Sequence, residues 1–244
     1  MSLRYRLPGG DVAALDDDAP FPPLDAALRT PNGLLAIGGG LSPARLLDSY
    51  RRGIFPWFSA GEPVLWWSPD PRMVLFPQAL KIASSLRKRL KRQDYRISFD
   101  TAFRSVITAC AGVARPGQDG TWIVGDIVEA YCRLHDLGYA HSVETWIDGE
   151  LAGGLYGVAI GRMFYGESMF HRVSDASKIA FVHLVDRLQH NGFGMIDCQM
   201  KTAHLQRFGA VEIPRADFAM HLASLVAQPC EPALWHPRTQ QEPA

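Results

Sequence analysis

Residues 140–189 carry the pattern that most restricts how this chain can fold. Apolar positions alternate through 140–147 and 151–160, and the intervening Asp148-Gly149 is typical of a tight turn between antiparallel strands. Gly161-Arg162 predicts a second turn, into a third strand over 163–169. Residues 174–189 then have apolar side chains three and four positions apart, which indicates a helix packed on the sheet. This order favours a mixed α+β fold over a doubly wound one.

Shorter elements are predicted on both sides of this unit. The predicted helices cover residues 43–50, 81–93, 101–111, 124–137 and 202–208. The additional predicted strands cover residues 73–76, 95–99, 195–198 and 210–213. Asp100 is the expected N-cap of the helix over 101–111. We expect irregular coil over 1–33, and we place a domain boundary at about residue 70, which divides the chain into 1–70 and 71–244.

Charge and cysteine content argue against several classes of function. Lys plus Arg and Asp plus Glu both total 25, so a nucleic acid could be attracted only by a local patch. The four cysteines are far apart and form no Cys-x-x-Cys pair, which favours reduced thiols in a cytoplasm. No histidine has metal-ligand spacing, so no metal site is expected. We also expect no signal peptide and no membrane span, because no long apolar run is present.

Aromatic and cationic residues are concentrated in 50–58 and 65–72. These two segments contain three tryptophans, two phenylalanines and three arginines. Flat rings beside guanidinium groups suit nucleobases and phosphates, the usual contacts of single-stranded RNA. On these residues alone, an equally good explanation is a corner of the hydrophobic core that is built of aromatic side chains and closed by prolines.

The predicted helix over 81–93 has a basic face. On a helical wheel this face consists of Lys81, Ser84, Lys88, Lys91 and Arg92. Such a run is usually a solvated surface. No acidic residue interrupts it before Asp94, however, which favours contact with a polyanion.

Polar residues that could take part in catalysis occur at the ends of two predicted strands. Glu167 ends one strand, and Asp197 and Gln199 end another, where alternation predicts that they share a face. Asp197 could accept an N–H of the Gln199 amide, and the pair could then hold an incoming amine. A strand-end carboxylate is more often a cap or turn ligand.

One short motif suggests a different ligand. Residues 189–194 match the Q-x-x-G-x-G pattern that binds the pyrophosphate of coenzyme A. Such a loop should open a helix, whereas this one follows a predicted helix and enters a strand. Gly192 is better explained as a left-handed helix C-cap.

Several blocks, in order and spacing from about Phe21 onward, closely resemble the bacterial leucyl/phenylalanyl-tRNA–protein transferase family. The blocks are 32–39, 50–58, 65–72, 120–123, 129–131, 166–170 and 196–199. The resemblance implies transfer of Leu or Phe, with Met a further candidate, from aminoacyl-tRNA to proteins beginning with Lys or Arg, which marks them for N-end rule degradation. It implies a small N-terminal domain on a larger GNAT-like acyltransferase domain with a mixed, mostly antiparallel sheet, no cofactor, no coenzyme A and no membrane contact. We expect a cytoplasmic monomer.

The resemblance also implies roles for individual residues. The terminal adenosine of the tRNA would stack on Trp57, near Tyr50, Trp122 and Tyr131. The aminoacyl side chain would enter a pocket formed by Leu155, Phe164, Ser168, Met169, Phe181, Leu184 and Ile196. The tRNA backbone would contact Lys88, Lys91 and Arg92. Asp197, Gln199 and Glu167 would be catalytic.

The expected reaction needs positioning more than a strong base. The donor is an activated ester, and roughly a tenth of an α-amine with an ordinary pKa of about 7.7–8.0 is unprotonated at neutral pH. We expect Gln199, oriented by Asp197, to hold the amine, while Glu167 receives the cationic N-terminal residue or orders the acceptor backbone. Proton loss to the ribose hydroxyl or to water is equally compatible with the sequence.

Three other functions stay open on the residues alone. The first is an acyl-CoA-dependent N-acyltransferase, and the second is a noncatalytic RNA-binding module. The third is a cell-wall transferase that uses aminoacyl-tRNA.

Overall fold

The computed structural model describes residues 4–113, 122–229 and 234–235. Its helices are α1 (Pro43–Arg51), α2 (Ser84–Leu90), α3 (Phe103–Ala111), α4 (Gly125–Asp136), α5 (Ala176–His190), α6 (Ala203–Arg207) and α7 (Arg215–Val226). Its strands are β1 (Arg4–Leu7), β2 (Gly10–Leu15), β3 (Leu34–Gly38), β4 (Phe55–Pro56), β5 (Leu65–Trp67), β6 (Arg72–Leu75), β7 (Arg96–Phe99), β8 (Ala140–Ile147), β9 (Glu150–Ile160), β10 (Met163–His171), β11 (Met195–Gln199) and β12 (Val211–Ile213). The predicted α+β class is confirmed.

The strands form two sheets. A five-stranded sheet has the order β1-β2-β3-β5-β4, and a seven-stranded sheet has the order β12-β6-β11-β10-β9-β8-β7. In the larger sheet β10 and β11 are parallel, while the other described neighbours are antiparallel. The Asp148-Gly149 turn is confirmed, with both residues at positive φ, and it joins β8 to β9.

Two hydrophobic clusters lie on opposite faces of the larger sheet. Along β9, Tyr156 and Val158 pack in the cluster that includes α3 and α4, whereas Leu155 and Ala159 pack in the cluster that includes α5. Residues of the N-terminal part, including Trp66, pack in the first cluster. Because the two parts share this core, the domain boundary near residue 70 remains a prediction.

The expected coil over 1–33 is wrong for β1 and β2. They form an antiparallel hairpin, and β2 then pairs in parallel with β3. Val12, which is 1% exposed, packs in a small cluster with Leu28, Leu34 and Ile37. Both strands are short, and β3, the strand that pairs with β2, comes only after an intervening loop. The local composition of 1–33 therefore gives no sign of them. Helix α7 and strands β3, β4 and β5 were also not predicted.

The first residues of α1 and α3 test the two helix caps that the sequence predicts. Ser42 caps α1 by accepting a hydrogen bond from the backbone N–H of Arg45, as the Ser-Pro pair predicts. Asp100 does not cap α3, so that prediction is wrong. Its carboxylate accepts the backbone N–H of Ser142 and contacts the His141 ring, a partner that comes from another strand.

Candidate active site

A cavity of about 480 Å³ opens where β10 and β11 separate. The two strands pair from Met163 with Met195 to Tyr165 with Asp197, and the register is irregular beyond that point in both strands. Glu167 and Gln199 therefore come from strands that have begun to diverge, and they face a common space. Part of the wall opposite comes from the N-terminal part of the chain, through Phe55 and Trp57.

The predicted aminoacyl pocket is brought together in this cavity. The cavity lining includes all seven of its residues, Leu155, Phe164, Ser168, Met169, Phe181, Leu184 and Ile196. They come from β9, β10, α5 and β11, which meet at one face of the sheet. An apolar recess of this kind favours an apolar side chain, because its surface leaves water.

The four predicted adenosine-binding aromatics occupy two different environments. Trp57 and Trp122 line the cavity, and the Trp57 ring meets the Trp67 ring edge-on at 5.6 Å between centroids. Tyr50 and Tyr131 are almost fully buried and are not among the cavity-lining residues. Tyr50 and Tyr131 thus do not line the cavity, and their place near the adenosine stays a prediction. They lie beneath Glu167, with their hydroxyl oxygens in contact with each other.

Glu167 is the centre of a hydrogen-bond network. The Tyr50 hydroxyl donates to Glu167 Oε1 at 2.8 Å, and the Tyr131 hydroxyl donates to Oε2 at 3.2 Å. Gln199 Nε2 also donates to Oε1, at 3.1 Å. Burial raises the pKa of Glu167 to about 7, and the charge of Asp197 adds to the rise, although both tyrosine hydrogen bonds oppose it. The Glu167 carboxyl therefore has a pKa well above that of an ordinary glutamate.

Asp197 has a buried partner that sequence analysis missed. Arg72 donates to both of its oxygens, with Nε–Oδ1 at 2.8 Å and Nη2–Oδ2 at 2.6 Å. The Arg72 guanidinium lies between the rings of Phe55 and Phe218, about equally far from each, and also donates to the Gly53 carbonyl. A buried carboxylate needs a partner of this kind. The need of a buried Asp197 for a cationic partner was the one signal in the sequence that pointed to such a residue. Arg72, a charged residue next to a buried predicted strand, meets that need.

The expected contact between Asp197 and the Gln199 side chain is wrong. Asp197 Oδ1 instead accepts the backbone N–H of Gln199 at 2.8 Å, and the Gln199 side chain turns to Glu167. The reason is local: Gln199 has φ of 61°, and the pairing register of β11 shifts between the two residues. Simple strand alternation therefore does not apply.

Cys198 lies between these two residues and also borders the cavity. Burial, with Asp197 as the next cause, raises the pKa of its thiol well above the ordinary value. A thiol in this state is a poor nucleophile at neutral pH. Cys198 is therefore better explained as a packing residue than as a nucleophile.

The residues predicted to contact the tRNA backbone are exposed but do not form a helical stripe. Of Lys88, Lys91 and Arg92, only Lys88 lies within α2, because the helix ends at Leu90. Arg92 and Arg89 both pair with Asp94. None of the three predicted residues lines the cavity. The prediction of one basic helix face over 81–93 is therefore wrong, although the exposed basic residues still form a basic surface.

Sequence analysis also missed one side of the cavity. Met200, Lys201, His204 and Leu205, which come after β11 and from α6, also line the cavity, beside Thr202. Burial lowers the pKa of His204, and Lys201 pairs with Glu212. These residues have no distinctive local pattern. Their proximity to Glu167 follows from where α6 packs.

Metal-ligating clusters and membrane-spanning helices are both absent from the described residues. No group of three or more metal-ligating side chains was found there. No helix in that part of the chain is both long enough and apolar enough to cross a membrane. Residues 120–121, which belong to the block 120–123 of the family resemblance, and Cys230 lie outside the described residues.

Comparison with protein families gives two matches that cover most of the chain. Residues 74–223 match the family described as leucyl/phenylalanyl-tRNA protein transferase, and residues 39–70 match the N-terminal domain of that family. Relatives bearing the same name include proteins of Nitrosomonas europaea, 61% identical over 92% of this chain and 95% of the relative, and Laribacter hongkongensis, 58% identical over 96% and 100%.

Similarity to solved structures is weaker. A Staphylococcus epidermidis protein of unknown function is 11% identical, with a TM-score of 0.41 over 74% of this chain and 68% of that one. A GCN5-related N-acetyltransferase from Kribbella flavida is 11% identical, with a TM-score of 0.34 over 70% and 60%.

Proposed function

Because the chain belongs to the leucyl/phenylalanyl-tRNA–protein transferase family and is therefore an aminoacyltransferase, we propose that it moves Leu or Phe from charged tRNA to the α-amino group of an acceptor protein. The preferred acceptors begin with Lys or Arg, and the product enters N-end rule degradation. The reaction takes place in the cytoplasm, where charged tRNA is available.

One observation carries this proposal. A single cavity is lined by two indole rings, by an apolar set of side chains and by the hydrogen-bonded Glu167–Gln199 pair. The three surfaces match the three parts of the substrate complex. The Trp57 ring suits a purine, the apolar recess suits a leucyl or phenylalanyl side chain, and the polar pair suits an amine.

The chemistry is the attack of an amine on an ester. The acceptor nitrogen bonds to the carbonyl carbon, the ester C–O bond breaks, and the ribose oxygen leaves with a proton from the amine. A second proton is lost when the incoming ammonium becomes a neutral amine. Glu167, with a pKa of about 7, is ionised often enough at neutral pH to take it. A carboxylate has about four acceptor positions, so three donors leave room for one more.

Gln199 and Asp197 have different roles in this proposal. The Gln199 carbonyl oxygen can accept a hydrogen bond from the amine, because Gln199 donates its N–H to Glu167. Gln199 therefore orients the nucleophile and does not relay a proton. Asp197 acts through the backbone of Gln199 and is a positioning residue, with its charge balanced by Arg72.

The central test uses the protein, tRNA charged with phenylalanine and a short peptide beginning with Arg. We expect the peptide mass to rise by one phenylalanyl residue. The same peptide with an acetylated N-terminus is the control and should stay unchanged. An unchanged Arg peptide in the presence of intact charged tRNA would overturn the proposal. Equal extension of a peptide beginning with Glu would contradict only the acceptor preference.

A further inference from the structure

A second groove, of about 720 Å³, lies where the end of β10 meets α3. One side is formed by α3 and the residues after it, through Arg104, Ser105, Thr108, Ala109, Gly112 and Val113. The other side is formed by Phe170, His171 and Arg172. The groove is open to solvent and none of its residues has a role in the proposed chemistry.

The lining of this groove suits an anion. Arg172 and His171 are exposed, and the exposed hydroxyl groups of Ser105 and Thr108 lie one helical turn apart on α3. Within the described part of the chain, no carboxylate lines the groove. Glu129 nearby pairs with both terminal nitrogens of Arg104 and offsets its charge. Arg172 donates from Nη1 to the Leu151 carbonyl at 3.2 Å and lies over the Phe170 ring, but no carboxylate of the described residues pairs with it, so it is the principal guanidinium for a ligand.

The groove and the active-site cavity both use residues of β10, although α3 and α5 pack on opposite faces of the sheet. The strand carries Glu167 in the cavity and His171 in the groove, four positions later, which is about 13 Å at the usual rise of a strand. His171 is also one of the cations, after burial and the charges of Lys178 and Arg207, that lower the pKa of His204 on the cavity wall. Measured along β10, the groove is therefore a short distance from the cavity.

On the basis of the proposed function, we propose that this groove binds the backbone phosphates of the single-stranded 3′ end of the tRNA, on the 5′ side of its terminal adenosine. Guanidinium and hydroxyl groups are common phosphate ligands. The other candidate, the acceptor protein, brings a cationic Lys or Arg residue, which Arg172 would repel. Arg172 provides the main phosphate contact, and Ser105 and Thr108 add neutral hydrogen bonds.

The test compares three phenylalanyl donors that share the same ester. They are phenylalanyl-adenosine, which has no internucleotide phosphate, a phenylalanyl trinucleotide ending in adenosine, and whole Phe-tRNA. Arg172→Ala should lower kcat/KM for the trinucleotide and the tRNA about tenfold, because a charge-assisted hydrogen bond is lost. It should leave phenylalanyl-adenosine unchanged. Arg172→Lys should recover part of the loss.

Arg29→Ala, which removes an exposed arginine from the N-terminal part of the chain, is the matched control and should change none of the three donors. The salt dependence of tRNA use by Arg172→Ala should also weaken, by about 0.7 in the logarithmic slope per lost contact.

Each alternative result has a distinct meaning. Equal loss with all three donors would overturn the inference, because the residue would then act on folding or chemistry. Loss with the tRNA alone would also overturn it and would place the contact on the double-stranded stem. A raised KM for the acceptor peptide would assign the groove to the acceptor instead. If the unaltered protein transfers from no donor, the proposed function itself fails.

Discussion

Arg72 and Asp197 lie 125 positions apart and form a two-point ion pair inside the protein. The side chains are 1% and 0% exposed. Arg72 is the first residue of β6, which is buried throughout, and Asp197 ends the stretch where β11 pairs with β10. The pair thus attaches the loop at Gly53 to the strand that presents Gln199, and it links the two parts of the molecule next to the cavity.

Removing one member of this pair should be strongly destabilising. Arg72→Ala leaves Asp197 buried without its counter-charge, and we expect the free energy of unfolding to fall by about 3–5 kcal/mol. Urea denaturation measures this change. Arg52→Ala removes an exposed ion pair with Asp48 and should change the free energy of unfolding by less than about 1 kcal/mol. Similar losses in the two variants would show that burial of the pair does not matter.

Tyr50→Phe should shift the pH dependence of transfer to higher pH. The Tyr50 hydroxyl donates to Glu167 and lowers its pKa, so without this donor the pKa should rise further above about 7. The acidic limb of the pH profile of kcat/KM then moves to higher pH, while the acceptor amine titrates as before. Tyr95→Phe, which removes a hydroxyl that contacts Leu90 and His183, is the control and should not shift the profile. An unchanged acidic limb in Tyr50→Phe would exclude Glu167 as its source.

Glu167 should make the protein less stable as the pH rises. Its folded-state pKa of about 7 exceeds the ordinary 4.5, so its stabilising contribution is complete below 4.5 and is lost as the pH rises through 7. The loss is at most about 3 kcal/mol. Glu167→Gln cannot ionise, so the difference between its unfolding free energy and that of the unaltered protein should change across this window. A difference that is constant from pH 4.5 to 8 would contradict the raised pKa.

Trp57→Ala should weaken the use of charged tRNA. Stacking of one base on an aromatic ring contributes about 1–3 kcal/mol, so KM for the donor should rise about 5- to 150-fold. The hydrogen bond from Trp67 goes to the Trp57 backbone and survives the substitution. Trp146→Ala on β8, outside the cavity lining, should leave KM unchanged. If both variants kept the original KM, the terminal adenosine would have to bind elsewhere.

Leu184→Phe should change which amino acid is transferred. Leu184 lines the apolar recess, and a larger ring there leaves less room for a phenylalanyl side chain than for a leucyl one. We expect the ratio of Phe to Leu use to fall about tenfold or more, in the range that one pocket contact supplies. Parallel transfer assays with Phe-tRNA and Leu-tRNA give the ratio, and thermal unfolding separates it from loss of structure. An unchanged ratio would show that another part of the cavity receives the side chain.

The sequence was most informative where structure depends on neighbouring residues. The β8–β9 hairpin, the Ser42 cap of α1 and the apolar face of α5 follow from turn chemistry and periodicity, and the structure has all three. The resemblance to a family also grouped the seven pocket residues, which the structure brings into one cavity. Their roles in binding remain predictions.

The remaining features depend on contacts between distant segments. β2 is stabilised by β3, Tyr50 and Tyr131 meet beneath Glu167, and Arg72 reaches Asp197 from another strand. No local pattern encodes such pairs, because the free energy comes from burial and from charge pairing that exist only once the chain has folded. By itself, the sequence determined the α+β class, most of its helices and strands, and the family. Only the tertiary structure decided that Glu167, and not Asp197, holds the Gln199 side chain, because a register shift in β11 reverses what strand alternation predicts.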